Sequence, residues 1–170
     1  NGSSEFMSSV AFSLVGMLYN ARLMKYADEN GIAAYGVLLY VGMIFNAIFI
    51  GYSVGTSPIV SYHYGAGNKQ ELKGLLKKST IITSVVAVFM LAAGELLSYP
   101  LSEIFVSYDA ELLEMTGHAF KIYSLAFLLC GFSIYGSSFF TALGNGLISA
   151  LIAFLRTLVF QVAAVIVLPL

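Results

Sequence analysis

Five long stretches of this chain contain no aspartate, glutamate, lysine or arginine. They are Phe6–Ala21, Asn30–Asn68, Ser79–Gly94, Ile122–Leu155 and Thr157–Leu170. A helix that spans a bilayer needs about 20 mainly apolar residues, and several of these stretches reach that length with their flanks included. Only 10% of the 170 residues are charged and the mean hydropathy is +0.88, whereas about a quarter of a soluble domain is charged. The pattern predicts an all-α integral membrane protein.

The uncharged stretches are continuous rather than alternating, which favours a polytopic helical bundle over a barrel. Nucleic acid is not an expected partner, because the net charge is −1 and no basic cluster is combined with stacking aromatics. The single cysteine, Cys130, excludes an internal disulfide. The chain starts at Asn1 and closes on an apolar "VAAVIVLPL", so we expect a piece of a longer membrane protein. Whether residues 1–4 are native stays open.

Five spans are predicted, over residues 5–24, 32–62, 79–97, 119–143 and 147–168. The uncharged stretch over residues 30–68 is too long for one perpendicular helix at about 1.5 Å per residue. Pro58 therefore suggests a tilted or bent second span. "PLSEIF" and "DAELLEM", between the third and fourth spans, are expected to form short helices at the membrane interface.

The connections between spans carry unequal positive charge. The second and fourth, together with Arg156, hold five basic residues, and the first and third, with Lys121, hold three. The excess of lysine and arginine on cytoplasmic loops predicts that the 63–78 loop is cytoplasmic in a multi-pass protein of the plasma membrane.

The segment "YHYGAGNKQELKGLLKKS" marks the border of the second span. Its glycines permit a helix to stop and the chain to reverse, and Asn68 is placed to cap the helix that follows. The leucines and lysines after it alternate with helical spacing, which predicts a short amphipathic helix on the inner membrane surface. Capping and contact with lipid headgroups account for this segment without a ligand.

Polar side chains within spans are informative, because the bilayer offers them no water. Three stripes share a helical face: Glu5, Ser9, Ser13 and Asn20; Asn46, Ser53 and Ser57; and Cys130, Ser133, Ser137 and Thr141. The serines and threonines are more often structural, bonding back to their own helix or permitting close packing. Glu5 differs, since an ionisable group at membrane depth is functional by default, although it lies near the chain start. Arg156 either snorkels to the inner surface or lines a cavity.

Enzymatic constellations are missing from the sequence. His63 and His118 are isolated and expected on opposite sides of the membrane, and no HExxH, GxSxG or paired-cysteine spacing occurs. Catalysis is disfavoured, and no catalytic residue, metal site or cofactor is expected.

Several segments resemble the multidrug and toxic compound extrusion (MATE) family. They are "GYSVGTSPIVSYHYGAGN" before the lysines, "GFSIYGSSFFTALGNGLISALIAFLRTLVFQ", and the opening "NGSSEFMSS", similar to the start of that family's seventh helix. The resemblance implies a part of the C-terminal lobe, helices seven to eleven of twelve, with the N-terminal lobe and last helix of the same protein as missing partners. It further implies export of organic cations in exchange for H⁺ or Na⁺, by rocking of two lobes in membrane lipid.

By the same resemblance, Glu5 matches the cation-coupling carboxylate of the seventh helix. Some members also carry an aspartate in the tenth helix, but Tyr123–Leu143 contains no carboxylate. The predicted substrate contacts are Ser9, Asn20, Tyr135, Ser137, Phe140 and Arg156, with aromatic faces suited to lipophilic cations.

Two alternatives stay open. A flippase for lipid-linked oligosaccharides, from the same superfamily, would use more cavity arginines and lysines than Arg156 alone. A non-transporting membrane scaffold is the other.

Overall fold

The computed structural model describes residues 2–163; the side chains of residues 2–8 and of Phe160 lie outside that description. Five α-helices occur in chain order: α1 Gly2–Gly65, α2 Lys69–Val106, α3 Ala110–Ser124, α4 Phe127–Ala142 and α5 Gly146–Phe154. The last continues as a π-helical segment, Leu155–Phe160. The described range contains no strand, so the predicted all-α class is confirmed.

Three helical stretches are long and apolar enough to cross a membrane. They are Ser9–Gly65, Lys69–Val106 and Gly146–Ala163, and the bent pair formed by α3 and α4 makes a fourth if it counts as one span. With this length and composition, the chain is a polytopic membrane protein.

Helix α1 is a hairpin of two helical legs. Its helical dihedrals are interrupted at Ala27 and Asp28, and Asp28 has φ 50°. Tyr19 and Tyr35 stack across this break with ring centroids 5.1 Å apart, although a straight helix would separate them by about 24 Å along its axis. The chain therefore reverses at Ala27–Asp28, where the charged first connection is predicted. We call residues 2–26 the first leg and residues 29–65 the second leg.

The second leg continues through Pro58, and the non-helical dihedrals of α1 are confined to Ala27 and Asp28 at the reversal. The expected bend at Pro58 is therefore not a break in the helix. A proline within a helix removes one backbone hydrogen bond, and the hydroxyls of Thr56 and Ser57 bond back to carbonyls one turn earlier in the same region.

Helix α2 corrects two expectations. The short amphipathic helix predicted after Asn68 is the first part of α2, and "LSEIF" is its last part. Leu72 and Leu75 are half-buried and pack against a cluster formed by Val60 of the second leg with Tyr135 and Phe139 of α4, so these two side chains face protein rather than the membrane surface. The helix also continues through Pro100, which lies inside α2.

The predicted fourth span is two helices. Helices α3 and α4 meet at Leu125 and Ala126 with an angle of 51° between them. Helix α3 begins at the cap Asp109, whose Oδ1 accepts hydrogen bonds from the amides of Glu111 and Leu112 at 2.9 and 3.1 Å. "DAELLEM" thus opens α3 instead of forming a separate interfacial helix.

Two turns between the helices place a glycine directly before or near a capping asparagine, as predicted for the segment that ends at Asn68. Gly67 has φ 69° and Asn68 accepts a hydrogen bond from the Glu71 amide through Oδ1 at 3.2 Å. Gly144, with φ 74°, stands in the "GNG" turn, and Asn145 caps α5 in the same way. Both turns lie at one end of the bundle, because residues beside them share a cluster around Val60.

The second leg of α1 contributes residues to all three hydrophobic clusters of the core. Ala34 to Val41 pack against the end of α2 and against α3, around Phe120. Farther along, Phe49 meets α2 and α4 at Phe127, and Val60 meets α4 at Tyr135 and Phe139. This arrangement sets α4 between the second leg, α2 and α5, where the polar side chains of the predicted site lie.

Candidate substrate and cation site

Serines join the second leg of α1 to α4. The hydroxyls of Ser57 and Ser138 are 3.0 Å apart, and Ser138 also donates to the Ser53 carbonyl at 3.4 Å. Ser61 donates to the Ala142 carbonyl at 2.9 Å. We call Ser53, Ser57, Ser61 and Ser138 the serine seam. Their spacing puts small residues where two helices approach closely, and the hydroxyls of Ser57, Ser61 and Ser138 find partners inside the protein instead of in lipid.

A second polar contact joins α4 to α5. Ser137 and Ser149 have hydroxyl oxygens 2.9 Å apart, and Thr141 donates to Ser149 Oγ at 2.7 Å. The predicted stripe on α4 therefore faces a neighbouring helix, at least at Ser137 and Thr141, and Ser149 is its buried partner.

Tyrosines form a third polar group between α1, α2 and α4. Tyr52 donates to Ser79 Oγ at 2.9 Å, and its ring lies 5.8 Å from that of Tyr135. The hydroxyls of Tyr135 and Ser53 are buried and have no hydrogen-bond partner among the described residues. A buried hydroxyl without a partner is costly, so this part of the interior keeps unused hydrogen-bonding capacity.

An aromatic run on α4 leads from this interior toward the surface. Tyr135 is 5% exposed and packs on Phe139, whose ring meets that of Phe140 edge to face at 6.2 Å. Phe140 is half-buried. Of the two aromatic residues predicted to contact substrate, Phe140 is accessible directly and Tyr135 lies behind it.

The remaining predicted residues are dispersed. Ser9 and Asn20 are exposed on the first leg, and the Ser9 carbonyl accepts a hydrogen bond from Ser13 Oγ at 3.0 Å. Arg156 is half-buried in the π-helical segment that follows α5. Glu5, the predicted coupling residue, is on the α1 backbone, but its side chain lies outside the described residues.

Sequence patterns missed several partners in these contacts. Tyr52, Ser79 and Ser149 each complete a hydrogen bond between helices. A periodic stripe on one helix indicates which face is covered, but it carries no information on which residue of another helix covers it. In the sequence, Ser79 is simply the residue that follows Lys77 and Lys78, and nothing there indicates its contact with Tyr52.

A groove of about 310 Å³ lies away from these contacts, between the second leg and the end of α2, lined by residues that include Tyr40, Phe105 and Tyr108. It contains none of the predicted site residues. No group of three histidine, cysteine, aspartate or glutamate side chains within the described part of the chain is placed to hold a metal ion.

Comparison with known proteins gives one family. The family described as MatE matches residues 6–167. "Multidrug export protein MepA" of Staphylococcus aureus strain MSSA476 is 24% identical over 155 residues, which are 91% of this chain and 34% of that protein. The protein of the same name from Staphylococcus saprophyticus is 24% identical over 160 residues, 93% of this chain and 34% of its own.

The chain thus spans about a third of the length of the curated relatives it matches. No solved structure matches it. The family match covers nearly the whole chain, including both turns and the helices that meet at the serine seam. The chain belongs to the MatE family, as its resemblance to the multidrug and toxic compound extrusion proteins implies.

Proposed function

We propose that the chain is part of a secondary active transporter that exports organic cations in exchange for H⁺ or Na⁺. The observation that carries the proposal is the family match over residues 6–167, together with relatives named as multidrug export proteins. The working transporter includes the N-terminal lobe and the last helix as further parts of the same protein. It works in the plasma membrane, with the 63–78 loop in the cytoplasm, by alternating access between two lobes.

Glu5 is the residue we assign to ion coupling. Burial away from water disfavours a bare carboxylate, so a single carboxylate in an apolar cavity is neutralised by a proton, a metal cation or a cationic substrate. Occupancy by one excludes the others, which is the requirement for exchange. Helix α4 contains no carboxylate, so of these two helices only the first leg can supply one for ion coupling.

Substrate contacts follow the first leg and α4. Ser9 and Asn20 are exposed on the same leg as Glu5, which supports direct contact with substrate. Phe140 offers an aromatic face to a lipophilic cation, and a cation over such a face gains about 0.5–2 kcal/mol. Ser137 and Arg156 are half-buried beside α5, and Tyr135 supports the aromatic run from behind.

The test is transport by the complete protein. Cells that express the full-length gene are loaded with ethidium, a fluorescent lipophilic cation, and its efflux is followed with an imposed proton gradient, with a sodium gradient and with neither. We expect gradient-dependent efflux that Glu5→Gln abolishes. Glu103→Gln is the matched control, because Glu103 is an exposed carboxylate near the end of α2, and it should leave efflux unchanged.

Two outcomes would contradict the proposal at different levels. Efflux and ion coupling unchanged in Glu5→Gln would remove Glu5 from the mechanism. Absence of ethidium efflux by the expressed complete protein would overturn the exporter itself, and flipping of a lipid-linked oligosaccharide by the same protein would identify the alternative.

A further inference from the structure

A carboxylate on α2 is held in place by a buried hydroxyl of α3. Ser124 Oγ lies 3.0 Å from Glu95 Oε1 and 2.6 Å from the Lys121 carbonyl oxygen, so its one proton is shared between these two acceptors. Ser124 is fully buried, whereas the Glu95 side chain is exposed. The helices approach closely here, since a Cβ added to Gly94 would lie 2.7 Å from Ser124 Cβ. One carboxylate oxygen is thus fixed by the protein while the group faces outward.

An ammonium group lies along the same contact between the two helices. Lys121 Nζ is 5.1 Å from the centre of the Tyr99 ring. That ring is seated against α3, because a Cβ added to Gly117 would lie 2.9 Å from it. Tyr99 follows Glu95 by one helical turn, so the carboxylate and the ammonium lie about one turn apart along the same contact between α2 and α3. Glu95 and Lys121 form no ion pair with each other in the described structure. We call Glu95, Tyr99, Lys121 and Ser124 the charged groove.

The position of the charged groove suits a lipid headgroup. At a rise of about 1.5 Å per residue, Glu95 is about 25 Å along α2 from Lys78, close to the hydrocarbon thickness of about 30 Å. The groove is therefore near the membrane surface opposite the lysines. Its flanks are large exposed aliphatics: Leu96 is 79% exposed, Ile122 61% and Leu125 55%. Apolar side chains on both sides of two fixed charges are the surroundings of a bound phospholipid.

We propose that the charged groove binds one phospholipid whose headgroup carries both a primary ammonium and a phosphate, as phosphatidylethanolamine does. The lipid ammonium donates hydrogen bonds to the Glu95 carboxylate, and the lipid phosphate pairs with Lys121 beside Tyr99. Phosphatidylcholine lacks an N–H donor, and phosphatidylglycerol lacks the ammonium altogether. Phosphatidylcholine carries both charges as well, so the N–H donors that face Glu95 distinguish the first headgroup from it. This binding is separate from that of the transported cations.

The experiment measures retained lipid on the full-length protein. The protein is reconstituted in bilayers of equal parts phosphatidylethanolamine, phosphatidylcholine and phosphatidylglycerol, extracted in mild detergent, and weighed by native mass spectrometry. We expect about tenfold enrichment of phosphatidylethanolamine over phosphatidylcholine, the ratio that corresponds to one charge-assisted hydrogen bond. Glu95→Gln should remove the enrichment, and Lys121→Met should reduce retention of phosphatidylethanolamine. Glu103→Gln, which alters an exposed carboxylate nearer the end of α2, should change neither.

Several results would overturn the proposal. One is equal retention of phosphatidylethanolamine and phosphatidylcholine by the wild type. Another is an equal loss of the phosphatidylethanolamine enrichment in Glu95→Gln and Glu103→Gln. The third is preferential retention of phosphatidylglycerol, which would indicate that the lysine alone binds any anionic lipid. If Glu95→Gln does not fold, Ser124→Ala decides, because it keeps both charges and removes the hydroxyl that contacts the carboxylate, together with its bond to the Lys121 carbonyl of the same helix. It should lower the enrichment, and an unchanged ratio in Ser124→Ala would count against a fixed carboxylate.

Discussion

Gly131 is the residue at which the packing of three helices is most sensitive to one methyl group. A Cβ there would lie 2.5 Å from Phe49 Cε1 of the second leg and 2.8 Å from Thr83 Cγ2 of α2. Phe49 is 3% exposed and Thr83 2%, so neither can retreat into open space. Overpacking of this kind costs about 1–3 kcal/mol, and replacing a helical glycine by alanine returns about 0.5–1 kcal/mol. Gly131→Ala should therefore destabilise the protein by about 1 kcal/mol.

Gly136→Ala is the matched control, because Gly136 stands on the same helix and a Cβ there would meet no atom within 4 Å. It should stabilise by about 0.5–1 kcal/mol, since only the helix preference changes. The free energy of unfolding of the full-length variants, from reversible unfolding in mixed micelles of mild detergent and sodium dodecyl sulfate, should differ by about 2 kcal/mol. If Gly131→Ala is as stable as Gly136→Ala, then α4 does not meet α1 and α2 at this residue, and the packing described around Phe49 is wrong.

The other predictions also concern single contacts. Tyr52→Phe should lower the free energy of unfolding by about 1 kcal/mol, because it leaves buried Ser79 without its partner. Tyr135→Phe removes a hydroxyl with no partner among the described residues, so it should be neutral or stabilising. If Tyr135→Phe is instead the more destabilising of the two variants, the hydrogen bonds assigned to Tyr52 and Tyr135 are wrong. Asp109→Ala should cost about 1 kcal/mol and speed amide hydrogen exchange in the first turn of α3, and Asp109→Asn should restore most of both. Phe120→Leu should destabilise less than Phe120→Ala, for which about 3–5 kcal/mol is expected from a fully buried ring; equal effects in the same unfolding assay would place Phe120 outside the core.

The length of the stretches without charged residues, together with the capping residues, was sufficient to predict much of the fold. The membrane class followed from the charge-free stretches, and the turns at Gly67 and Gly144 followed from glycine beside asparagine, because positive φ and side-chain capping are local properties. The extent of α2 was missed, since whether Leu72 faces lipid or protein depends on Val60, a residue of another helix. The bend between α3 and α4 was missed for a similar reason, as no proline or glycine marks Leu125 and Ala126.

The candidate site was predictable to a smaller degree. The helical spacing of the polar stripes predicted that Ser53, Ser57 and Ser137 face the interior of the bundle, and the structure places them against neighbouring helices. It did not separate hydroxyls that bond another helix from side chains left exposed, such as Asn20. Glu5 stays a prediction, because its side chain lies outside the described residues, and the substrate contacts stay predictions because they rest on the proposed function.

The reversal at Ala27–Asp28 bears on how the carboxylate-bearing leg can move. The second leg, α4 and α5 are tied together by several hydrogen bonds between serines and threonines, so they are expected to move as one rigid body. Along the chain, the first leg is connected to that body by two residues with non-helical dihedrals, and Tyr19 of the first leg stacks on Tyr35 of the second leg. A small rotation about those dihedrals would tilt the leg without breaking any of these bonds. When a rigid helix rotates about one end, the displacement of each residue grows with its distance from that end. Glu5 lies near the end of the first leg that is farthest from Ala27 and Asp28, so it would move the most.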